Sequence, residues 1–371
     1  MPDTEERLAV LRLIRSQEIG PATFYQLVEQ YGSAGRALDA VPGLARRGGG
    51  KQPIQLCSRE TAETELAACE ALGARIITLW DEEYPAMLRH ISDAPPVLTL
   101  LGNAALFARP AVAMVGARNA SLPGCRLAGK LAQGMAEAGY AVVSGLARGI
   151  DAAVHKGAGA RNTIAVVAGG IDHIYPRENT ELYHAIACEG AVVTECAFGT
   201  VPKPEHFPRR NRIISGLARG TVVVEANARS GSLITARFAL EQGREVMAVP
   251  GFPLDPRAEG PNKLLKEGAA LVETPEDILN AVNQPREKDP GALLESMPPS
   301  FAAVPPALDE AEVADVRERL AAQLSFTPVA VDALIAEHGG QAEARAVLAA
   351  LLELELAGRL TRHPGNRVSK A

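Results

Sequence analysis

Apolar residues recur along this chain in three distinct rhythms. Up to residue 75 they fall at helical spacing: Arg7–Arg15 carries them every three or four positions, Ile19-Gly20-Pro21 breaks the run, and Ala22–Tyr31 resumes it. Pro42-Gly43 then predicts the end of a third segment. The stretch IGPATFYQLVEQYGS looks like the glycine turn of a helix-hairpin-helix or of a small sterile-alpha-motif-like domain, and a generic helical packing module explains it equally well. From residue 76 to 283 the rhythm changes to short, nearly continuous β-branched runs: Ala111–Val115, Ala141–Ser144, Thr163–Val167, Ala191–Thr194, Thr221–Glu225, Val246–Val249 and Ala270–Val272. Runs of that kind are strands covered on both faces, as in a parallel sheet. Between them, Gly124–Ala138, Glu178–Cys188, Asn211–Ala218, Leu233–Gln242 and Asn262–Glu267 read as helices. The alternation predicts right-handed βαβ units and an α/β, doubly wound, Rossmann-like parallel sheet.

Residues 284–311 hold Pro285, Pro290, Pro298, Pro299, Pro305 and Pro306 and little periodicity, which predicts a linker. Beyond it, Asp315–Gln323, Val329–His338 and Ala342–Ala357 read as three helices, and Arg359–Val368 as a hairpin turning at Pro364-Gly365-Asn366. Three helices and a small β-wing within residues 312–371 predict a winged helix-turn-helix. The expected organisation is therefore a small all-α domain over 1–75, the sheet domain over 76–283, the linker, and a C-terminal winged-helix domain.

Composition narrows the function classes. Of 371 residues, 47% are hydrophobic, enough for a core, and 4% are aromatic, so the packing rests on Ala, Val and Leu. No apolar run nears the ~20 residues that span a bilayer, so no membrane insertion is expected. The acidic start Met1-Pro2-Asp3-Thr4-Glu5-Glu6 predicts no secretory leader. Five cysteines without CxxC spacing argue against a disulfide framework or zinc site, and point to a reducing, cytoplasmic setting. The net charge of −6 is unevenly spread. Between Pro110 and Ser230 there are 13 Lys/Arg against 9 Asp/Glu, which permits a basic face on an acidic protein.

In an open parallel sheet, ligands bind beyond the carboxyl ends of the strands. The segments found there are Val115-Gly116-Ala117-Arg118-Asn119, Ser144 to Asp151, Ala168 to Asp172 running on to Tyr175-Pro176-Arg177-Glu178-Asn179, and Glu225 to Ser232. Each joins glycine to arginine or hydroxyl groups near a helix start, and four on one edge could cradle several phosphates in a row. The candidate contacts are Arg118, Ser144, Gly145, Arg148, Gly169, Gly170, Arg177, Asn179, Ser230, Gly231 and Ser232. To these the basic run 203–212 adds Lys203, Phe207, Arg209, Arg210 and Arg212. Cations beside an exposed ring suit single-stranded nucleic acid, whose phosphates follow the cations while bases stack on the ring. Phe207 could equally be a buried staple, and Arg210-Asn211-Arg212 could brace the loop. No G-x-G-x-x-G or Walker-type loop occurs, so no nucleotide cofactor is expected, and the histidines form no HxH or HExxH metal pair. Asp151 and His155 could share a helical face for acid–base work, or be a helix-start cap and a packed histidine. Asp172 and Glu225 read as loop braces.

The stretches MVGARNAS, SGLARGIDAAVH, TIAVVAGGIDHIYPRENTELY, HFPRRNRIISGL, VVVEANARSGSLITARFALEQGREVMAVPG and NKLLKEGAALV, unbroken in order over residues 76–275, closely resemble the DNA-processing protein A (DprA/Smf) family. The resemblance implies a non-enzymatic homodimer that binds single-stranded DNA with little sequence preference. It also implies loading of a RecA-type recombinase onto that DNA in natural transformation or recombination. Under it, Arg118 is the principal DNA-contacting arginine, Arg177 fills the basic position of the Tyr-Pro-x-x-Asn stretch, and Lys203 and Phe207 take the basic and base-stacking positions. Ser144, Gly145, Gly169 and Gly170 line the same edge, and dimerisation involves Ala239–Gln242 and Leu264–Leu271. Ala117 departs from the Ser or Thr usual before the arginine. Two rivals remain: a lysine-decarboxylase-like nucleotide phosphoribohydrolase, whose glycine-rich loop is incomplete at Ser230-Gly231-Ser232, and a sequence-specific regulator acting through the winged helix.

Overall fold

A computed structural model describes residues 3–50, 52–284, 308–338, 343–363 and 366–371. Most of the expected linker, and Pro364 and Gly365 of the expected hairpin turn, lie outside the described residues. The described residues pack as two compact units, one between 64 and 284, the other combining those up to 63 with those from 308 onward.

The first unit is built on a nine-stranded sheet: β1 (Ala74–Thr78), β2 (Val97–Gly102), β3 (Ala111–Val115), β4 (Ala141–Ser144), β5 (Thr163–Val166), β6 (Ala191–Thr194), β7 (Gly220–Val223), β8 (Glu245–Ala248) and β9 (Ala270–Leu271). Their order is β1-β2-β6-β5-β4-β3-β7-β8-β9. Strands β3 to β9 run parallel, and every residue of β3, β4, β5, β6 and β7 is buried, as their unbroken apolar runs require. The order reverses between β3 and β7, which opens a crevice beyond their carboxyl ends. The parallel expectation needs one correction: β2 pairs antiparallel with β6 and β1 antiparallel with β2, so the sheet is mixed at that edge.

Helices Leu122–Glu137 and Ile150–Ala158 cover one face and meet at two glycines. A Cβ on Gly157 would sit 2.2 Å from the Gly129 carbonyl oxygen, whereas one on Gly129 would find its nearest neighbour at 3.5 Å. Close backbone approach is therefore needed at 157 alone.

The second unit joins the chain's two ends. Helices Thr4–Ile14, Pro21–Tyr31 and Ala34–Arg47 form its N-terminal part. Pro42 lies inside the third of these helices rather than ending it, because Val41, Leu44 and Ala45 around it are all buried. The C-terminal part has helices Glu310–Gln323, Val331–Glu337 and Ala344–Leu356 with a three-stranded sheet, β10 (Val329–Ala330), β12 (Arg367–Lys370) and β11 (Leu360–His363), in that order. This is a winged-helix arrangement. Helix Ala344–Leu356 lies between the two parts. Its Ala346, Val347, Ala350, Leu351 and Leu354 fill the winged-helix core. On the opposite side Leu352 and Leu356 are also buried, each contributing roughly 1.5–3 kcal/mol.

Gly157→Ala should destabilise the protein by about 1–3 kcal/mol in a denaturant titration, since backbone must move. Gly129→Ala should be neutral or stabilising, having room and better helix propensity. Equal losses in both would refute the close-approach assignment.

Candidate nucleic-acid interface

Beyond the carboxyl ends of β3 and β7 lies a groove of about 990 Å³, whose walls include Arg118, Tyr175, Phe207, Asn211, Arg229 and Arg257. A side recess of about 390 Å³ opens between Arg118, Arg148, Tyr175 and Phe207. The loop after β3 is fixed by the loop after β4. Gly149 has φ +73°, and a Cβ there would strike the Ala117 carbonyl oxygen at 2.3 Å, so only glycine lets the two backbones touch. The Ile150 amide also donates to that oxygen, at 3.2 Å.

This contact holds Arg118 at the groove mouth, exposed, with its guanidinium carbon 4.8 Å from the centroid of the Phe207 ring. Phe207 in turn stands 5.5 Å from the Tyr175 ring at 59°. A guanidinium over an aromatic face is attracted by the ring quadrupole, and the planar stack leaves its N–H edge free to donate. Phe207 is half-buried and sits in the first turn of helix His206–Gly216, which begins earlier than the sequence suggested. Arg229 on the groove wall, Arg177 two residues after Tyr175 and Lys203 four before Phe207 are exposed and make no ion pair among the described residues; the last two are not among the groove's wall residues. Arg148, Arg209 and Arg257 are exposed or half-exposed but paired, with Glu178, Glu195 and Asp255 respectively. At the far wall Ser230 caps helix Gly231–Glu241, its Oγ accepting from the Ser232 amide, and Gly231 is exposed.

Several residues expected to touch a ligand are spent inside the protein instead. Ser144 is wholly buried and donates its hydroxyl to the Met114 carbonyl at 2.7 Å. Asn179 is buried and donates to the Leu146 and Ala147 carbonyls. Arg212 is buried between Glu195 and Asp93. Arg210 is buried too, donating through one terminal nitrogen to the Gly145 and Val166 carbonyls. These side chains brace the loops; Ser144, Asn179 and Arg212 are absent from the groove wall, and Arg210, 5% exposed, reaches it only as part of its floor. Gly145, Gly169 and Gly170 are buried as well. A Cβ at Gly145 would lie 2.4 Å from the Arg210 guanidinium, and one at Gly169 2.6 Å from Pro202, so these glycines bring segments together. Ser232 is buried, with its Oγ 2.7 Å from that of Ser230.

Beneath the groove, Asp151 accepts from the Gly145 and Ala147 amides at 3.2 and 3.4 Å. Burial pushes its carboxyl above the usual range, while the Arg210 charge and those amides pull it back. Burial likewise brings Arg210 down to about 10, opposed by Asp151. His155 has both ring nitrogens occupied. Thr163 Oγ1 donates to the Val142 carbonyl, so it accepts from Nδ1–H at 2.6 Å, and Nε2 accepts from the Leu146 amide at 3.3 Å. The ring is therefore neutral, and burial lowers its pKa to about 3. Glu225 holds Ser121 at the start of helix Leu122–Glu137, and Asp172 accepts from the Gly199 amide at 2.8 Å, both as braces.

The sequence reading passed over Tyr175, Asn119, Arg229 and Arg257. The first three lie within segments it considered. Arg257 follows β8, where Pro250-Gly251 marked a further strand-end loop. Among the described residues no group of three His, Cys, Asp or Glu side chains could hold a metal ion, and no helix is long and apolar enough to cross a membrane.

Residues 75–283, the whole strand-and-groove unit but its first few positions, match the family model of DNA recombination-mediator protein A. The chain belongs to the DprA family. Residues 4–68 match a DprA-like N-terminal HHH domain, and 304–366 a DprA winged-helix domain. Smf of Escherichia coli is 39% identical over 313 residues, 84% of this chain and 81% of its own length. DprA of Bacillus subtilis is 44% identical over 216 residues, 57% and 73% of the two chains. Among solved structures, DprA of Streptococcus pneumoniae aligns with TM-score 0.60 at 35% identity, covering 75% of this chain and 98% of its own. A Helicobacter pylori DprA structure, described for its single-stranded DNA binding mode, aligns with TM-score 0.51 at 27% identity, over 55% and 94%.

The folded His155 stays neutral below the pH at which an unfolded histidine, with its usual value of 6.5, takes up a proton. Its contribution to stability is complete above pH 6.5 and is lost progressively as pH falls from there toward about 3. A His155→Gln variant should show a shallower fall in Tm between pH 7 and 4 than the parent protein; an unaltered slope would contradict the neutral, buried ring.

Proposed function

We propose that this DprA-family chain binds single-stranded DNA along the strand-end groove, with little sequence preference, and passes it to a RecA-type recombinase. The observation that carries the reading is the Arg118–Phe207–Tyr175 cluster, a guanidinium already placed over a ring at the groove mouth, with exposed Arg229 on the wall of the same groove. Such a surface offers cations to phosphates and π-faces to bases. The single-stranded DNA studied with the H. pylori relative supports the same ligand. The reading is one of binding and hand-over without bond-breaking chemistry, a view supported by the engagement of Asp151, His155 and Ser144 in internal hydrogen bonds. Its setting is the cytoplasm, in natural transformation or homologous recombination, and its working form a homodimer. Leu240 and Leu271, 60% and 50% exposed within the two stretches implicated in pairing, support that last point.

Arg118→Ala should weaken binding of a mixed-sequence oligonucleotide by roughly 10–100-fold and reduce the slope of log K against log salt by about 0.7. Phe207→Ala should weaken it by roughly the loss of one stacked base, ~1–3 kcal/mol, at unchanged slope. Fluorescence anisotropy at several salt concentrations reads both; full affinity in both folded variants would defeat the proposal.

A further inference from the structure

In winged-helix proteins that read DNA, the third helix enters the major groove with a polar, cation-bearing outer face. Helix Ala344–Leu356 holds that position here, yet its outer face carries Leu352, Glu353, Glu355 and Leu356, all buried. Carboxylates there would repel phosphates, and leucines have no use for water. What covers them is the chain's own N-terminal helical domain. Arg47 Nε donates to Glu353 Oε1 at 2.6 Å, and Arg317 of the winged helix holds the other carboxylate oxygen. Thr23 Oγ1 donates to Glu355 Oε1 at 2.9 Å, and Arg362 both grips Glu355 and reaches Gln26 at 3.3 Å. Gly48 lies so close that a Cβ there would be 1.9 Å from the Glu353 carbonyl oxygen, and Arg359 donates to the Gly48 carbonyl at 3.2 Å.

We propose that the third helix of the winged-helix domain is a protein-docking helix, whose partner is the N-terminal helical domain of the same chain. The two chain ends thereby act as one body, and the winged helix is closed to duplex DNA on that face. Three features require this pairing together. Glu353 is a buried carboxylate with one cation from each domain, so separating them strands charge. The leucines flanking it are placed at i and i+4, the spacing of a single apolar seam. A side-chain-free Gly48 is needed only because another backbone lies against it.

The test uses the full chain with a specific protease site inserted near residue 295, cut after folding. With no other change, the C-terminal fragment should still co-elute with the remainder in size-exclusion chromatography after cleavage. Arg47→Glu, which leaves a half-exposed position in its own domain but sets a second carboxylate against Glu353, should release the fragment, and so should Gly48→Leu. Circular dichroism of the released fragment should still be helical, which separates undocking from unfolding. A fragment that leaves the wild-type protein after cleavage would overturn the proposal, as would one that stays bound in both variants. Mixing tagged and untagged chains before cleavage gives the last check, since fragment captured by the other copy would show docking between chains instead. In hydrogen exchange, duplex DNA should leave residues 344–356 of the uncut protein unchanged; protection there would restore a duplex-reading helix and end the docking assignment.

Discussion

The strand-end surface depends on one buried cation. The Arg210 guanidinium reaches under the rim and donates to carbonyls at the ends of two adjacent strands, at Gly145 and Val166, with Asp151 beside it for charge balance. Without such partners a buried charge costs several kcal/mol. Arg210 is also three residues beyond Phe207 on the same helix. The bracing arginine therefore sets where the ring stands, and the ring sets where Arg118 stacks. Gly145 is glycine because the guanidinium occupies the place a side chain would take.

Most of the sheet was legible because its central strands are buried on both faces and read as unbroken apolar runs. Strand β2, Val97–Gly102, has the same buried apolar run and was passed over although the pattern was there; β1 escaped notice for the opposite reason. β1 has an exposed Arg75 within Ala74–Thr78, and nothing in a local pattern says that the two pair antiparallel at a sheet's edge. At the rim, Arg118 and Phe207 were recognisable from their place after a strand and in a basic run. The sorting of Arg209, Arg210 and Arg212 was not. The three are equally basic in sequence, and what sorts them is what covers each side of helix His206–Gly216: Arg210 lies under the Gly145 and Val166 carbonyls, Arg212, about 200° further round, is covered beside Asp93 and Glu195, and Arg209 is left exposed. Pro42 misled in the same way: a local rule for ending helices lost to the burial of its neighbours.

An acidic protein presents a basic rim through a division finer than the count of 13 cations to 9 anions in that stretch. Carboxylates neutralise some of its cations, Arg148 by Glu178, Arg209 by Glu195 and Arg257 by Asp255, while Arg118 and Arg229 carry no such partner among the described residues. Surface pairs of this kind add little to stability.

The body formed by the chain ends is discontinuous: helix Ala34–Arg47 and helix Ala344–Leu356 meet across some 300 residues of intervening sequence, and the whole sheet unit is an insertion within it. On a ribosome, the early helices must wait for their partner until the last winged-helix residues emerge. The face they turn to helix Ala344–Leu356 stays uncovered through most of synthesis, and the terminal body assembles last.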